Sequence, residues 1–287
     1  MNLQKIREVL NSAKRNRRAI AAFDTVSYHY MDWAAEAANR LGAPLFLMFY
    51  PNFKKVMSFR EFVGFKRLLE GKYSVPLITH LDHSKSIDEI REAIRAGFDS
   101  VMLDYSDQPL DENTRVTKEV VGIAHSAGVA VEAELGRVGS GSNAADFKNP
   151  ELYTDAETAR KFCQETHVDM LAVAIGNSHG VYVEEPHLDI ARLKKLTSLV
   201  DVPLVLHGTS LIPDSQVSAA VANGICKVNL ATEMYLAAMT ALRRVLQSVS
   251  EENQGPFVAD AAIRPAMDEY FTQKLGLLNG SVKGDGA

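Results

Sequence analysis

Three histidines stand at the ends of apolar runs: VPLITHLDH (75–83), DMLAVAIGNSHG (169–180) and DVPLVLHG (201–208). Each run has the length and composition of a buried strand, and His83, His179 and His207 fall where such a strand gives way to a loop. Three imidazoles supplied from three strand ends fill three places around a tetrahedral ion and leave the fourth open. That is the donor set of a catalytic zinc site. Asp82, directly before the first of these histidines, would put a proton-transfer group beside the ion.

Such a set needs strands that all end on the same side. Eight strand candidates run along the chain: residues 19–23, 44–49, 76–80, 100–104, 128–135, 170–176, 203–207 and 225–230. Their apolar character is continuous rather than alternating, as for parallel strands covered on both faces. Amphipathic stretches separate them. In SIDEIREAIRAG (86–97), Ile87, Ile90 and Ile94 share a face, Ser86 and Glu89 read as a capping box, and Gly97 as a stop. A second helical stretch covers 113–128. Eight such units predict an α/β fold, a (β/α)8 TIM barrel, as one domain over 1–287. A C-terminal helical extension follows from about residue 250, with its pattern around RPAMDEYFTQKLGLL. The rival, a doubly wound sheet, lacks a GxGxxG after its first strand.

The 287 residues are 46% hydrophobic, enough for a large core, and the net charge of −5 disfavours nucleic acid as a partner. No apolar run reaches the 18 residues of a membrane span. The N-terminus, MNLQKIREVLNSAKRNRRA, is a polar helix pattern rather than a signal peptide. Cys163 and Cys226 lie in apolar contexts and give no disulfide framework. The expectation is a cytoplasmic protein.

Barrel active sites gather at the carboxyl ends of strands. The polar residues there are Asp24; His80, Asp82 and His83; Asp104 and Ser106; Glu132 and Glu134; the 177–180 segment; HGTS (207–210); and VNLAT (228–232). His29, His125, His167 and His187 fall in helical or loop patterns and read as structural or solvated, while His80 reads either as barrel-facing or as support for the site. Gly180, Gly208, Thr209, Ser210, Asn229 and Thr232 cluster near the last three strands, where barrels often bind phosphate at a helix N-terminus. Ordinary helix capping would use the same hydroxyls.

The segments THLDH (79–83), VEAELGRVG (131–139), LAVAIGNSHGVY (171–182), PLVLHGTS (203–210) with IPD, and GICKVNLATE (224–233) together resemble the class II, zinc-dependent ketose-bisphosphate aldolases. The likeness runs in order from about residue 5 to 275. It is closest to the shorter branch, with tagatose-bisphosphate and bacterial fructose-bisphosphate aldolases. The resemblance implies Zn2+ on His83, His179 and His207, and allows for a monovalent cation beside it. It implies that Asp82 handles the proton on the aldehyde oxygen and that Glu134 can approach the metal. Phosphate binding would fall to Gly180, Gly208, Ser210, Asn229 and Thr232, with Asn229 also touching the hydroxyketone. Arg264 would reach into a neighbouring subunit's site in a homodimer or homotetramer and grip the distal phosphate there. The implied reaction is reversible cleavage of a ketose phosphate to dihydroxyacetone phosphate and an aldehyde. Lys227 is the one candidate for a rival Schiff-base mechanism, and reads better as structural.

Around the substrate the chain departs from that pattern. The loop after strand 5, RVGSGSNAADF (137–147), lacks the expected acid, and only Asp146 could replace it. Asp24 stands for an asparagine. Phe49, Tyr50, Tyr105, Asp107, Leu211 and Val183 also differ, and Phe49 and Tyr50 are expected to crowd the pocket. The substrate is therefore expected to be non-standard. Two alternatives stay open: another metal-enolate enzyme such as an epimerase or isomerase, and a non-catalytic homologue acting as a partner subunit.

Overall fold

The computed structural model describes residues 1–25, 27–248 and 256–280. Eight strands form one ring: β1 (Ile20–Asp24), β2 (Leu45–Phe49), β3 (Leu77–Ser84), β4 (Ser100–Leu103), β5 (Ala130–Leu135), β6 (Met170–Val173), β7 (Leu204–Leu206) and β8 (Ile225–Leu230). Each pairs in parallel with the next, and β8 pairs with β1, which closes the barrel. The predicted (β/α)8 architecture is the observed one. Of the helices, α1 (Leu3–Asn16) precedes the barrel, while α2 (Tyr28–Arg40), α3 (Phe59–Glu70) and α4 (Ile87–Ala96) follow its first three strands.

The continuous apolar runs arise because each strand is buried on both faces. Ile20, Ala22, Phe46, Met48, Met102 and Val205 pack inside the ring, whereas the larger cluster fills the space between the ring and its helices. The polar N-terminal helix pattern hides a structural role: Ile6 and Leu10 of α1 are fully buried and join the inner cluster, where they close one end of the barrel. At α4, Ser86 caps Glu89's N–H and Gly97 ends the helix at φ +101°. The reciprocal half of the expected capping box is absent, because the Glu89 carboxylate accepts from Ser84 Oγ at 2.8 Å and pairs with Lys54.

After β4 to β8 come α5 (Leu110–Ser126), α6 (Ala144–Phe147), α7 (Ala156–Thr166), α8 (Ile190–Leu199), α9 (Asp214–Ala222) and α10 (Thr232–Ser248). The tail is α11 (Pro256–Leu278), which contains Pro265. It lies against α2 and α10 and buries Phe271 edge-on against Phe23, with ring centroids 4.7 Å apart. The start of the expected extension near residue 250 lies outside the described residues. None of the described helices is long and apolar enough to cross a membrane.

Candidate active site

The histidine cluster begins with an irregularity in β3. From Leu81 to Ser84 the strand spends three steps where β4 spends two, and His83 adopts φ +47°. A regular strand would send Asp82 and His83 to opposite faces; the extra residue lets both line the cavity at the barrel mouth. His179 ends a two-residue strand, Ser178–His179, paired with Gly139–Ser140, so the loop after β6 is stitched to the loop after β5. His207 follows β7. A Cβ on Gly208 would lie 2.2 Å from the Ser178 carbonyl oxygen at φ +60°, so the two histidine loops can meet only through a glycine. The Tyr182 hydroxyl clamps them, accepting from the Ser178 N–H at 2.6 Å and donating to the Gly208 carbonyl at 2.7 Å.

The three imidazoles converge. Ring centroids of His83 lie 4.8 Å from His179 and 4.7 Å from His207, and one nitrogen from each ring lies within 4.8 Å of the others. Two carboxylates set the tautomers. Asp104 Oδ2 is 3.0 Å from His83 Nδ1, and Glu132 Oε1 is 2.8 Å from His207 Nε2. Ionised carboxylates only accept, so these ring nitrogens carry the protons. The remaining nitrogens, His83 Nε2 and His207 Nδ1, then face each other at 3.0 Å with lone pairs inward. That contact is favourable only with a positive charge between the rings, a proton or a metal ion. Burial lowers His179 and His207 below the usual imidazole range, which keeps them in the neutral form a metal requires. At His83 burial acts the same way but is outweighed by Asp82, Asp104 and Glu134, which push it up to about 10. Glu134 adds a buried Oε2 with no hydrogen-bond partner, 3.7 Å from His207 Nδ1; burial and then Asp104 raise its carboxyl to about 8. One orphan carboxyl oxygen and a fixed set of lone pairs fit a divalent ion.

Below the imidazoles runs a buried polar chain. Lys227 donates to Glu132 at 2.9 Å and to Asn229 Oδ1 at 2.7 Å. Asn229 in turn donates from Nδ2 to Asp82 Oδ1 at 3.0 Å. Lys227 is thus committed to neutralising Glu132, in line with its structural reading. Burial would raise Glu132, but Lys227 and His207 outweigh it and hold the carboxyl far below the usual range. His80 faces the barrel interior, where Nδ1 meets Ser100 Oγ at 2.9 Å. Glu132 and Asp104 are the functional groups for which the sequence offered no role. The alternation in AVEAEL already puts Glu132 and Glu134 on one face, but only the folded chain shows which imidazole each carboxylate meets.

On the opposite side of the mouth Thr209 Oγ1 donates to the Asn229 carbonyl at 2.8 Å, and Ser210 Oγ accepts from the Glu233 N–H at 3.2 Å. Ser210 therefore caps α10, whose first residue is Thr232. Gly180 takes φ +88° beside His179 and has open space where a Cβ would be. The expected phosphate residues are thus gathered on the β6–β8 side. Arg264 is not: it sits on α11, more than half exposed, paired with Glu36 of α2 at 3.0 Å.

A cavity of about 700 Å³ opens on the β1–β4 side, lined among others by Asp24, Tyr50, Phe53, Asp82, His83 and Tyr235. Phe49 corrects one expectation: it is fully buried and packs outward among Phe53, Phe59, Phe62 and Phe98, so it does not crowd the cavity, although Tyr50 does line it. Asp107 is paired with Lys85 at 2.7 Å, and Val183 is exposed. Asp146 is spent inside its own loop, accepting from Ser140 N at 2.9 Å and Asn143 Nδ2 at 3.0 Å. Burial, and then Asp82 beside it, push the Asp24 carboxyl well above the usual carboxylate range.

Compared with known proteins, residues 4–283 match the family described as fructose-bisphosphate aldolase class-II. The chain belongs to that family. This aldolase is 38% identical over 250 residues to the D-tagatose-1,6-bisphosphate aldolase subunit GatY of Klebsiella oxytoca, covering 86% of this chain and 88% of that protein. It is 37% identical over 284 residues to the uncharacterized protein YdjI of Escherichia coli K12, across 99% and 100% of the two chains. The crystal structure of the YdjI aldolase superposes with a TM-score of 0.84 at 35% identity, over 97% of this chain and 98% of that one. A Campylobacter jejuni fructose-bisphosphate aldolase structure, at 23% identity and a TM-score of 0.84 over 97% and 95%, shares the fold. The chain is a metal-dependent lyase of the class II type, as the motifs implied.

Proposed function

We propose that this aldolase reversibly cleaves a ketose phosphate into dihydroxyacetone phosphate and an aldehyde, with zinc held by His83, His179 and His207. One observation carries the reading: two imidazoles whose outer nitrogens are tied to Asp104 and Glu132 direct lone pairs at each other across 3.0 Å, with Asp82 alongside. A divalent ion there supplies Lewis acidity toward the two oxygens of a hydroxyketone and stabilises the charge left by carbon–carbon cleavage.

The chain's own residues do the rest. Asp82, anchored through Oδ1 by Asn229, takes the proton of the substrate hydroxyl as the bond breaks and returns it in condensation. Asn229 orients Asp82 and the hydroxyketone together. Gly180, Gly208, Thr209, Ser210 and Thr232, at the N-terminus of α10, hold the phosphate. Glu134, whose unpartnered oxygen lies 3.7 Å from His207 Nδ1, would be the carboxylate able to approach the ion. The barrel and its tail act as one domain in the cytoplasm. In a homodimer or homotetramer Arg264 is turned outward for a neighbouring subunit's site.

Metal analysis and product analysis test this. The purified protein should carry one divalent ion per chain and release dihydroxyacetone phosphate from a ketose 1-phosphate, and dihydroxyacetone phosphate should bind better than dihydroxyacetone. Equal metal content in the wild type and His207→Ala would sink the metal assignment.

A further inference from the structure

We propose that the cavity on the β1–β4 side selects an uncharged, hydroxylated aldehyde, with Asp24 as the residue that recognises it. The proposal rests on the lyase reading above and names the half of the substrate that reading leaves open. With the phosphate residues on the β6–β8 side, the part of the substrate beyond the cleaved bond must extend the other way, into the cavity lined by Asp24, Tyr50, Phe53, Lys85 and Tyr235.

Asp24 lines this cavity with only 7% of its surface exposed, and its buried Oδ1 has no hydrogen-bond partner. Its backbone carbonyl is held by the Tyr235 hydroxyl at 2.7 Å, which fixes the main chain that carries the carboxyl at the strand end. A buried carboxyl oxygen without a partner is costly, and a ligand hydroxyl removes that cost. The other acids of the lining have partners: Asp82 has Asn229, Glu89 has Ser84 and Lys54, and Asp104 has His83 and Ser106. A distal phosphate would need a cation. Among the described lining residues the only ammonium is Lys85, whose Nζ is bound to Asp107 at 2.7 Å, and Arg264, assigned above to a neighbouring subunit's site, is already paired with Glu36 at 3.0 Å. Ionised, Asp24 repels a phosphate; protonated, it offers one donor where a phosphate dianion needs several. In either state it hydrogen-bonds a hydroxyl. The Tyr50 and Phe53 rings give the aldehyde's carbon chain an apolar wall.

The experiment uses the metal-loaded enzyme in the condensation direction, with dihydroxyacetone phosphate and either glyceraldehyde or glyceraldehyde 3-phosphate. Wild type should favour the unphosphorylated aldehyde in kcat/KM by about tenfold or more. In Asp24→Asn and Asp24→Ala that ratio should collapse, chiefly through KM for the aldehyde. A wild-type preference for the phosphorylated aldehyde, or a ratio the two variants leave unmoved, overturns the assignment. Exchange of the dihydroxyacetone phosphate carbon-bound proton with deuterated solvent, measured without aldehyde, reads the lyase chemistry alone. Exchange with the wrong aldehyde preference would overturn only this inference; no exchange would overturn the lyase reading and this inference with it.

Discussion

Strand β4 is bracketed by two buried aspartates that live differently. At its start, Asp99 accepts from the N–H and the hydroxyl of Thr79, each at 2.9 Å, and is paired with Lys66 and the Met1 amine. At its finish, Asp104 points at His83, whose other nitrogen faces another lone pair. The contrast extends around the ring. At the closed end Asp169 is met by the Val131 N–H, His125 and Arg7, at 2.7, 2.8 and 2.7 Å. At the open end Asp24, Glu134 and Glu233 keep buried oxygens without partners, and no carboxylate of the closed end does so among the described residues. Among the described residues the buried carboxylate oxygens left without partners lie at the open end, where a ligand can supply the missing hydrogen bond.

Substitutions at the two ends should therefore fail differently. Asp82→Asn can keep the 3.0 Å bond to Asn229 yet cannot carry the proton. We expect kcat to fall ~10²–10⁴-fold, with metal content and melting temperature retained. Near-native kcat in this variant would remove Asp82 from the chemistry. Asp99→Ala should do the reverse. It strands the terminal amine and leaves the Thr79 N–H and hydroxyl without their acceptor, with Lys66 left to Glu70 alone, which costs about 3–5 kcal/mol of stability in denaturant titrations, while kcat per folded molecule holds. A variant as stable as wild type would show that the closed end does not depend on that pairing.

A subtler break lies behind the metal. Asp104→Ala removes the acceptor that fixes the His83 tautomer, so metal affinity should drop ~10–100-fold with little change in fold. Competition with a chelator measures it, and unchanged affinity would reduce Asp104 to a bystander.

Much of this division could be read before folding, and the exceptions have physical causes. The strand patterns fall within a few residues of the observed elements because burial on both faces leaves a strong signal. The same burial erases direction: LFLMF has no alternation, so nothing along the chain tells that Phe49 points outward. The histidines were legible from their place at strand ends. The bulge that aims Asp82 and His83 together was not, since it is defined by register against β4. Asp104 and Glu132 stood in view as strand-end acids, but pairing with a ring over 20 residues away in sequence exists only in the closed barrel. α1 was concealed by its charged face, which outnumbers the two residues, Ile6 and Leu10, that it buries.

The smallest effect should come from Asp169, and it is read through pH. Burial alone would raise this carboxyl, but His125, the Val131 N–H and Arg7 together hold it below its ordinary value. A folded-state value lower than the unfolded one, about 3.9, means the unfolded chain takes up the proton first as pH falls. Asp169 therefore stabilises the fold fully above that unfolded value, and its contribution is lost as pH drops through the folded value. Asp169→Asn removes the titrating group. The variant should be less stable near neutrality by on the order of 1–2 kcal/mol. The gap between variant and wild type should then narrow steadily below about pH 4. Asp104 is also depressed, so both proteins still lose stability in acid, and only the difference between them isolates Asp169. Denaturant midpoints measured from pH 7 down to the acid limit give that difference. A gap that stays constant across the range would mean that Asp169 acts through packing and not through its charge.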